Sequence, residues 1–428
     1  MALRVYRELQ SGLQFIGTLD GERRDDATFR YSDTYLDSAN ARPISFSLPL
    51  TGRAFAGEEV RPYFDGLLPE GPARRSLAAE IGCREEDFPV LLEHCGLDCI
   101  GDVVINPEAF SGERSYEPVN LREVASRRPQ PSAIAQLLGS SRLSIAGAQG
   151  KTGLYHDASR DAGEGWYQPV GGAPSNVIVK FANEEIPDLV ELEYLCLMAA
   201  RACGIDMPDA SLMFPGRPTL CVNRFDRTVS SGVVIGGLPA PVRQHQEDLA
   251  QALSIASASK YAELAPSTIE AVSSFIVEHS SSPALDIASF ARMVVFNYAI
   301  GNCDNHLKNY SVLYSPNWDA VRLAPAYDLI STAHYRSFST EMGMAFGGTR
   351  RLEEIEADDI LALAGQLGVS ARSVKRIADE VASSVVPGFI GAAAQIAAQG
   401  FDDAPYLVDE LEEELAPRLD VLARAANA

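Results

Sequence analysis

Along the first hundred residues apolar and polar side chains alternate. LRVYRE, LQFIGTLD and ATFRYSDTYL have the two-residue period of half-buried strands, and PISFSLPL is expected to extend the same sheet. In YFDGLLPEGPARRSLAAEIG the spacing becomes helical after a Pro-Glu-Gly turn. The pattern predicts a small mixed α/β domain over residues 1–107. The polar, proline-bearing stretch PEAFSGERSYEPVNLREVASRRPQPS follows it and predicts a linker over 108–129. From 130 to 239 short apolar segments alternate with Gly and Pro turns: LSIAGAQGKTGLYH, WYQPV, NVIVKFA, SLMF and TLCVNRFD. One helix interrupts them, DLVELEYLCLMAARACG, with Asp188 as the expected N-cap, Glu191 three residues on and Gly204 as its stop. Its apolar face is Leu189, Leu192, Cys196 and Ala199. Over 240–428 the chain is mostly helical, in EDLAQALSIA, STIEAVSSFIVEHS, ASFARMVVFNYAIG, EADDILALAGQLG, SVKRIADEVASSVV and a C-terminal helix. The fold class expected is α+β: a strand-rich lobe, then a helical lobe, preceded by the small mixed domain.

Composition narrows the setting. With 428 residues, 46% of them hydrophobic, the chain can bury sizeable cores without disulfides or metals. No run of about 18 apolar residues occurs, and MALRVYRELQSG carries charges where a signal peptide needs its apolar stretch. A cytoplasmic protein with no membrane partner is the expectation. The seven cysteines, several of them in apolar runs such as YLCLMAARACG, read as buried free thiols. His94, Cys95 and Cys99 lack a second pair at zinc-site spacing and read as ordinary core or loop residues. A formal net charge of −22, from 36 basic and 58 acidic residues, argues against broad DNA binding by the chain itself. Contact with DNA is expected mainly through a basic partner.

Two stretches suggest chemistry. AGAQGKT ends like a phosphate loop, but the Walker pattern would need glycine at Ile145, and Lys151 is followed by TGLYHD rather than a helical run. In FNYAIGNCDNHLKNYSVLY an apolar helix stops at Gly301, and a polar loop leads into a strand. Asp304 and Asn309 are five apart in this loop, the spacing of the catalytic Asp and metal-binding Asn in the D-x-x-x-x-N loop of protein kinases. There the carboxylate must meet the attacking hydroxyl while the amide oxygen holds Mg²⁺ against the phosphates. Lys308, between them, can stabilise the transferring group. A turn and a second strand, expected to end at Asp328, put that residue where a kinase has its other magnesium-binding aspartate, here in Asp-Leu-Ile. Upstream, NVIVKFA is a strand with one lysine, Lys180, which resembles the phosphate-pairing lysine of kinases, and Glu193 is its candidate partner. Taken in order, these elements point to ATP-dependent phosphoryl transfer on a protein-kinase-like two-lobed fold. AGAQGKT then reads as a glycine-bearing loop over the phosphates.

With SLPL, YFDGLLPEG, SIAGAQGKT, VIVKFA, ELEYLCLMAA, VNRFDR, HQEDLAQAL, GNCDNHLKNYSVLY and APAYDLIS in sequence, the chain resembles, along its length, the HipA family of serine/threonine kinase toxins from bacterial type II toxin–antitoxin modules. The resemblance implies ATP and Mg²⁺ as cofactors and Asp304 as catalytic base. Asn309 and Asp328 become magnesium ligands and Lys180 the ATP-phosphate lysine. Ala146, Gly147, Ala148, Gln149, Gly150 and Lys151 would line the phosphates. Asn223, Arg224 and Phe225 would form the adenine-contacting hinge, and His306, Lys308, Asn309 and Tyr327 would complete the pocket. Ser144 matches the family's autophosphorylated serine, where an added charge of about −2 would expel the loop. Gly150 stands where the family usually has an acidic residue, and Asn223 replaces a common glutamate. The resemblance implies a HipB-like helix-turn-helix antitoxin as partner, and as substrate an aminoacyl-tRNA synthetase whose phosphorylation stalls translation and arrests growth. Two other readings stay open: a catalytically silent corepressor bound to a DNA-binding antitoxin, and a small-molecule kinase of the same fold.

Overall fold

The N-terminal alternation becomes an antiparallel sheet in the computed structural model, which describes residues 1–106, 113–126, 150–182, 186–264 and 266–428. Strands β1 (Ala2–Leu9), β2 (Gly12–Asp20), β3 (Thr28–Tyr31), β4 (Phe55–Ala56) and β5 (Val103–Ile105) form one sheet in the order β4-β3-β2-β1-β5. PISFSLPL does not extend it. That segment makes only an isolated bridge, Ser45 to Leu48. It is held by Tyr31, whose hydroxyl donates to the Leu48 carbonyl at 2.6 Å and accepts from the Ile44 N–H at 2.9 Å. Side-chain bonding has replaced a strand ladder here. The helical turn in YFDGLLPEG starts earlier than the Pro-Glu-Gly signal, at Arg61–Gly66, and resumes over Gly71–Ile81. Leu3, Val5, Phe29, Phe55, Phe64 and Phe88 are core residues of this region.

The chain divides into two units. One comprises Met1–Pro187, Met213–Ser259 and Leu313–Asp319; the other comprises Asp188–Leu212, Lys260–Val312 and Ala320–Ala428. The first unit contains a second antiparallel array. Here β6 (Ser115–Pro118) pairs with β8 (Trp166–Val170), β8 with β7 (Lys151–His156), β7 with β9 (Val177–Phe181), and β9 with β11 (Thr219–Asn223). The stretch expected as a linker is therefore built into this sheet through β6, and its short helix Leu121–Ser126 packs Leu121 and Val124 beside Leu154 and Val179. Strand β10 covers Ala210–Met213. A hairpin of β12 (Arg227–Ile235) and β13 (Leu238–Arg243) turns on Gly236 and Gly237, both at positive φ (59° and 85°) as a two-residue hairpin turn requires. Strand β14 (Gln246–Asp248) leads into a helix of only one turn, Leu249–Ala252, where a longer one was expected.

The second unit is helical. Helix Leu189–Ala202 buries the expected face of Leu189, Leu192, Cys196 and Ala199, and Gly204 follows it at φ 74°. Asp188 occupies the N-cap position with left-handed backbone (φ 56°) and makes no side-chain cap, so the expected capping box is not formed. Burial instead pushes the Glu191 carboxyl up to about 7. The helices Thr268–His279, Pro283–Ile300, Ala357–Leu367, Ala371–Ala397 and Ala404–Asn427 account for the remaining helical patterns. Among the described residues, Ala371–Ala397 is the one helix long and apolar enough to cross a membrane by length and composition. Val374, Ile377, Val381, Val385, Phe389 and Ile396 on it are buried. Strands β16 (Val321–Leu323), β17 (Glu341–Phe346) and β18 (Thr349–Arg351) complete this unit, and β15 (Ser311–Tyr314) begins in it and ends in the first. Strand β16 ends at Leu323, five residues before Asp328, so the expected strand is shorter than its apolar run. All seven cysteines are free, and all but Cys83 are buried.

Candidate active site

Helix Pro283–Ile300 ends at Gly301, whose left-handed φ of 68° lets its N–H bond the carbonyls of Asn297 and Tyr298. The chain then enters a loop ordered by asparagines. Asn302, buried, accepts from the Asp304 N–H through Oδ1 at 3.1 Å, while its Nδ2 donates to Asn297 Oδ1 at 2.9 Å and, at a long 3.5 Å, to the carbonyl of Asp328. Asn297 in turn donates to the Tyr310 hydroxyl at 2.9 Å. Asn309 Nδ2 donates to the Asp304 carbonyl at 2.7 Å, which turns its Oδ1 the other way. The Asp304 and Asn309 spacing read in the sequence is thus one hydrogen-bonded turn. Its floor is fixed by Gly343, whose N–H donates to Asn305 Oδ1 at 2.8 Å. A Cβ at Gly343 would lie 2.7 Å from the Asn305 backbone, so only glycine permits this approach.

Asp304 keeps its side chain half exposed at 48%, whereas His306 is nearly buried with Nε2 3.6 Å from Asp304 Oδ1. The Tyr261 hydroxyl donates to the same Oδ1, and its ring meets that of His306 edge-on at 4.9 Å. Lys308 is buried on the 3-10 turn Leu307–Asn309. Tyr327, expected in the nucleotide pocket, has its hydroxyl within 2.6 Å of Ser311 Oγ and donates at 2.8 Å to the Lys308 carbonyl. It therefore pins the loop. Asp328 holds left-handed backbone at φ 50°, an unusual conformation for a non-glycine residue and of a kind that concentrates at functional sites.

In the first unit Lys151 opens β7 rather than a helix, as the failed Walker pattern requires. Lys151 and Lys180 are register partners on β7 and β9, and both are nearly buried. Directly opposed residues of an antiparallel pair project on one face about 4.5–5.5 Å apart at Cβ. The two lysines read from the sequence as phosphate-contacting are thus brought to one face of the β7–β9 pair. Glu193, named as a partner for Lys180, is buried in helix Leu189–Ala202 of the other unit. Ser144 and Ala146 to Gln149 lie outside the described residues; Gly150 precedes β7 and its carbonyl accepts from the Phe181 N–H at 3.2 Å.

The VNRFDR segment divides by residue. Asn223 is exposed at the end of β11, Phe225 is half buried in the turn, and Arg224 N–H donates to the Asn176 carbonyl at 2.9 Å. The Arg224 guanidinium is committed elsewhere: to Asp226 at 2.8 Å, Asp98 at 3.4 Å, Ser175 Oγ at 2.9 Å and the Cys99 carbonyl at 3.0 Å. Arg227 and Arg243 reach Asp98 at 3.0 and 2.7 Å, and Arg243 also reaches Glu8 at 2.7 Å. Burial alone would raise the Asp98 carboxyl, but Arg243, Arg224 and Arg227 outweigh it and hold it far below the usual carboxylate range. Burial, with Arg224 beside it, pushes the Arg227 guanidinium down to about 10.

Asn297, Asn302, Tyr261 and Gly343 were not read from the sequence. Asn297 did leave a signal, an amide inside the apolar run MVVFNYAIG; Tyr261, 43 residues from Asp304, left none. Among the described residues no three His, Cys, Asp or Glu side chains are grouped to hold a metal. The candidate magnesium donors, Asn309 Oδ1 and the Asp328 carboxylate, are oxygens of the hard type that Mg²⁺ takes, so the residues present fit that ion with water and phosphate as further ligands.

The strand-rich array, the helical unit and the Asp-x4-Asn loop define a protein-kinase-like fold. The chain belongs to the HipA family: it matches the HipA-like C-terminal domain over residues 143–389 and the HipA N-terminal domain over 10–106. It is 32% identical over 392 residues to the protein Y4mE of Sinorhizobium fredii (strain NBRC 101917 / NGR234), covering 88% of this chain and 89% of that one. It is 27% identical over 376 residues to the serine/threonine-protein kinase toxin HipA of Shewanella oneidensis, covering 85% and 83%. The solved complex of Shewanella oneidensis MR-1 HipA with HipB and operator DNA contains a chain with the same fold, at a TM-score of 0.77 and 23% identity, covering 100% of this chain and 99% of that one.

Proposed function

We propose that this chain is an ATP-dependent serine/threonine protein kinase of the toxin class. The observation that carries the reading is the loop in which Asn302 bonds the Asp304 backbone and the Asp328 carbonyl while Asn309 bonds back to Asp304. It ties the backbone of a half-exposed carboxylate to Asn309 and, through Asn302, to the Asp328 backbone, which supports a base and two oxygen donors for in-line phosphoryl transfer. In this reading Asp304 accepts the proton of the substrate hydroxyl as the new O–P bond forms and the bond to ADP breaks. Lys151 and Lys180 bind the phosphates, and Lys308 adds positive charge. Asn309 and Asp328 hold Mg²⁺, which when bound neutralises the phosphate oxygens. The Asn223 to Phe225 backbone contacts adenine, the Arg224 side chain being occupied.

The protein substrate proposed is an aminoacyl-tRNA synthetase, and the partner a HipB-like antitoxin. HipA of Shewanella oneidensis is seen with HipB and operator DNA, and a net charge of −22 suits a basic DNA-binding partner. Ser144 is the proposed autophosphorylation site. The test is incubation of the purified chain with ATP and Mg²⁺, followed by mass-spectrometric mapping, beside Ser144→Ala and Lys180→Met variants. Phosphate on Ser144 of the wild type, absent from Lys180→Met, supports the reading. ATP bound with no phosphate transferred to the chain or to any synthetase added would contradict it.

A further inference from the structure

The base proposed above already carries a hydroxyl. Tyr261 O–H donates to Asp304 Oδ1, and the ring stands edge-on to His306, whose Nε2 faces the same oxygen. A serine or threonine acceptor must make this same bond, O–H to carboxylate, before transfer. Tyr261 is 43% exposed, so the phenol reaches Asp304 without being part of a packed core.

The backbone that presents it is anchored on both sides. Arg350 donates from Nη1 to the Tyr261 carbonyl at 3.1 Å and from Nε to the Met342 carbonyl on β17 at 3.0 Å. Two residues on, Glu263 accepts from the Thr268 N–H at 2.6 Å and from the Ala345 N–H at 3.2 Å. Main-chain anchoring with an exposed side chain lets the phenol swing away while its segment stays in place. All of these residues lie in the second unit.

We infer that Tyr261 is a specificity-determining residue whose hydroxyl occupies the acceptor position on Asp304, so that water is a poor acceptor and transfer requires a protein segment that displaces the phenol. The inference rests on the reading of Asp304 as the base. In transfer to the acceptor, its oxygen bonds phosphorus, the bond to the ADP oxygen breaks, and the acceptor proton goes to Asp304. With the phenol absent, water takes the same course and gives ADP and phosphate.

The experiment uses the full chain with ATP and Mg²⁺ and no protein acceptor, reading ADP and phosphate release for wild type, Tyr261→Phe and Asp304→Asn, with a melting curve for each. Phenylalanine keeps the ring against His306 and removes only the hydroxyl. The expected result is hydrolysis faster by about 10–100-fold in Tyr261→Phe, the size of one hydrogen bond to a charged group, with KM for ATP unchanged and Asp304→Asn inactive. If wild type releases more ADP and phosphate than Asp304→Asn but Tyr261→Phe hydrolyses ATP no faster than wild type, the gate is overturned and the base reading stands. If Asp304→Asn turns over ATP like wild type, or no variant turns it over, the base reading falls and the gate with it.

Discussion

Two aspartates sit in clusters of opposite design. Asp98, with a side chain 1% exposed, is surrounded by Arg224, Arg227 and Arg243. Asp304, half exposed, is addressed by a phenol, an imidazole and an asparagine-ordered loop. A carboxylate ringed by guanidinium groups and sealed from water is held charged, and its cations are occupied in turn, so it is poor at accepting a proton. A carboxylate fixed through its backbone, with its head near solvent, can do so. The charged residues that stand out in VNRFDR thus serve to fasten the β11–β12 turn to residues 97–102: Arg224 and Arg227 both donate to the Cys99 carbonyl, and the Gly101 N–H donates to Asp226. The plainer loop GNCDNHLKN is the one to which we assign the chemistry.

The contrast can be broken first at Asp98. Asp98→Ala leaves three buried arginines short of a partner and is expected to lower stability by about 3–5 kcal/mol, measured by denaturant unfolding. A loss under about 1 kcal/mol would mean that water reaches the cluster. The next largest effect is expected at Glu247, another buried carboxyl of the first unit, bonded to Ser45 Oγ at 2.5 Å and the Phe46 N–H at 3.1 Å. Burial pushes it up to about 7 from 4.5. Below pH 4.5 it is protonated folded and unfolded alike. Between 4.5 and 7 the unfolded chain ionises while the folded one keeps its proton, so stability falls as pH rises, and above 7 the loss is complete at about 3 kcal/mol. Glu247→Gln should flatten that part of the stability profile, measured by denaturant unfolding across this pH range.

Two smaller changes sharpen the active-site half. Asn302→Ala removes the bridge between the Asp304 backbone and Asp328 and is expected to cut phosphoryl transfer about 10²-fold, as a misplacement of about 1 Å does. Gly343→Ala, meeting the Asn305 backbone, should cost about 1–3 kcal/mol of stability and lower the transfer rate more than ATP affinity, read as a kcat effect with KM for ATP held.

What the sequence made legible follows the range of the interactions. Local periodicity marked β1, β2, the face of helix Leu189–Ala202 and the C-terminal helices, because burial on one face repeats every 2 or 3.6 residues. It also brought Asp304 and Asn309 together, since five residues span one turn. It misled at PISFSLPL, where Tyr31 and Glu247 take the backbone and hydroxyl bonds that a strand would have used, Glu247 from about 200 residues away. It misled at β6 as well, since an edge strand needs few apolar residues to pair. The Asp98 cluster joins residues about 125 apart in sequence, and no pattern within a window records that. Arg224 was placed in a nucleotide hinge because its neighbours resemble one, while its guanidinium had partners visible only in three dimensions. Tyr261 was missed for the same reason.

The central claim is that Asp304, held by its loop, is the base for phosphoryl transfer. It is tested most directly by offering the chain ATP labelled at either the γ- or the α-phosphate, with Mg²⁺, and comparing wild type with Asp304→Asn at matched melting temperature. The account predicts covalent label on the wild-type protein from the γ-position alone, and none on Asp304→Asn although it still binds ATP. Undiminished γ-label on Asp304→Asn would contradict it.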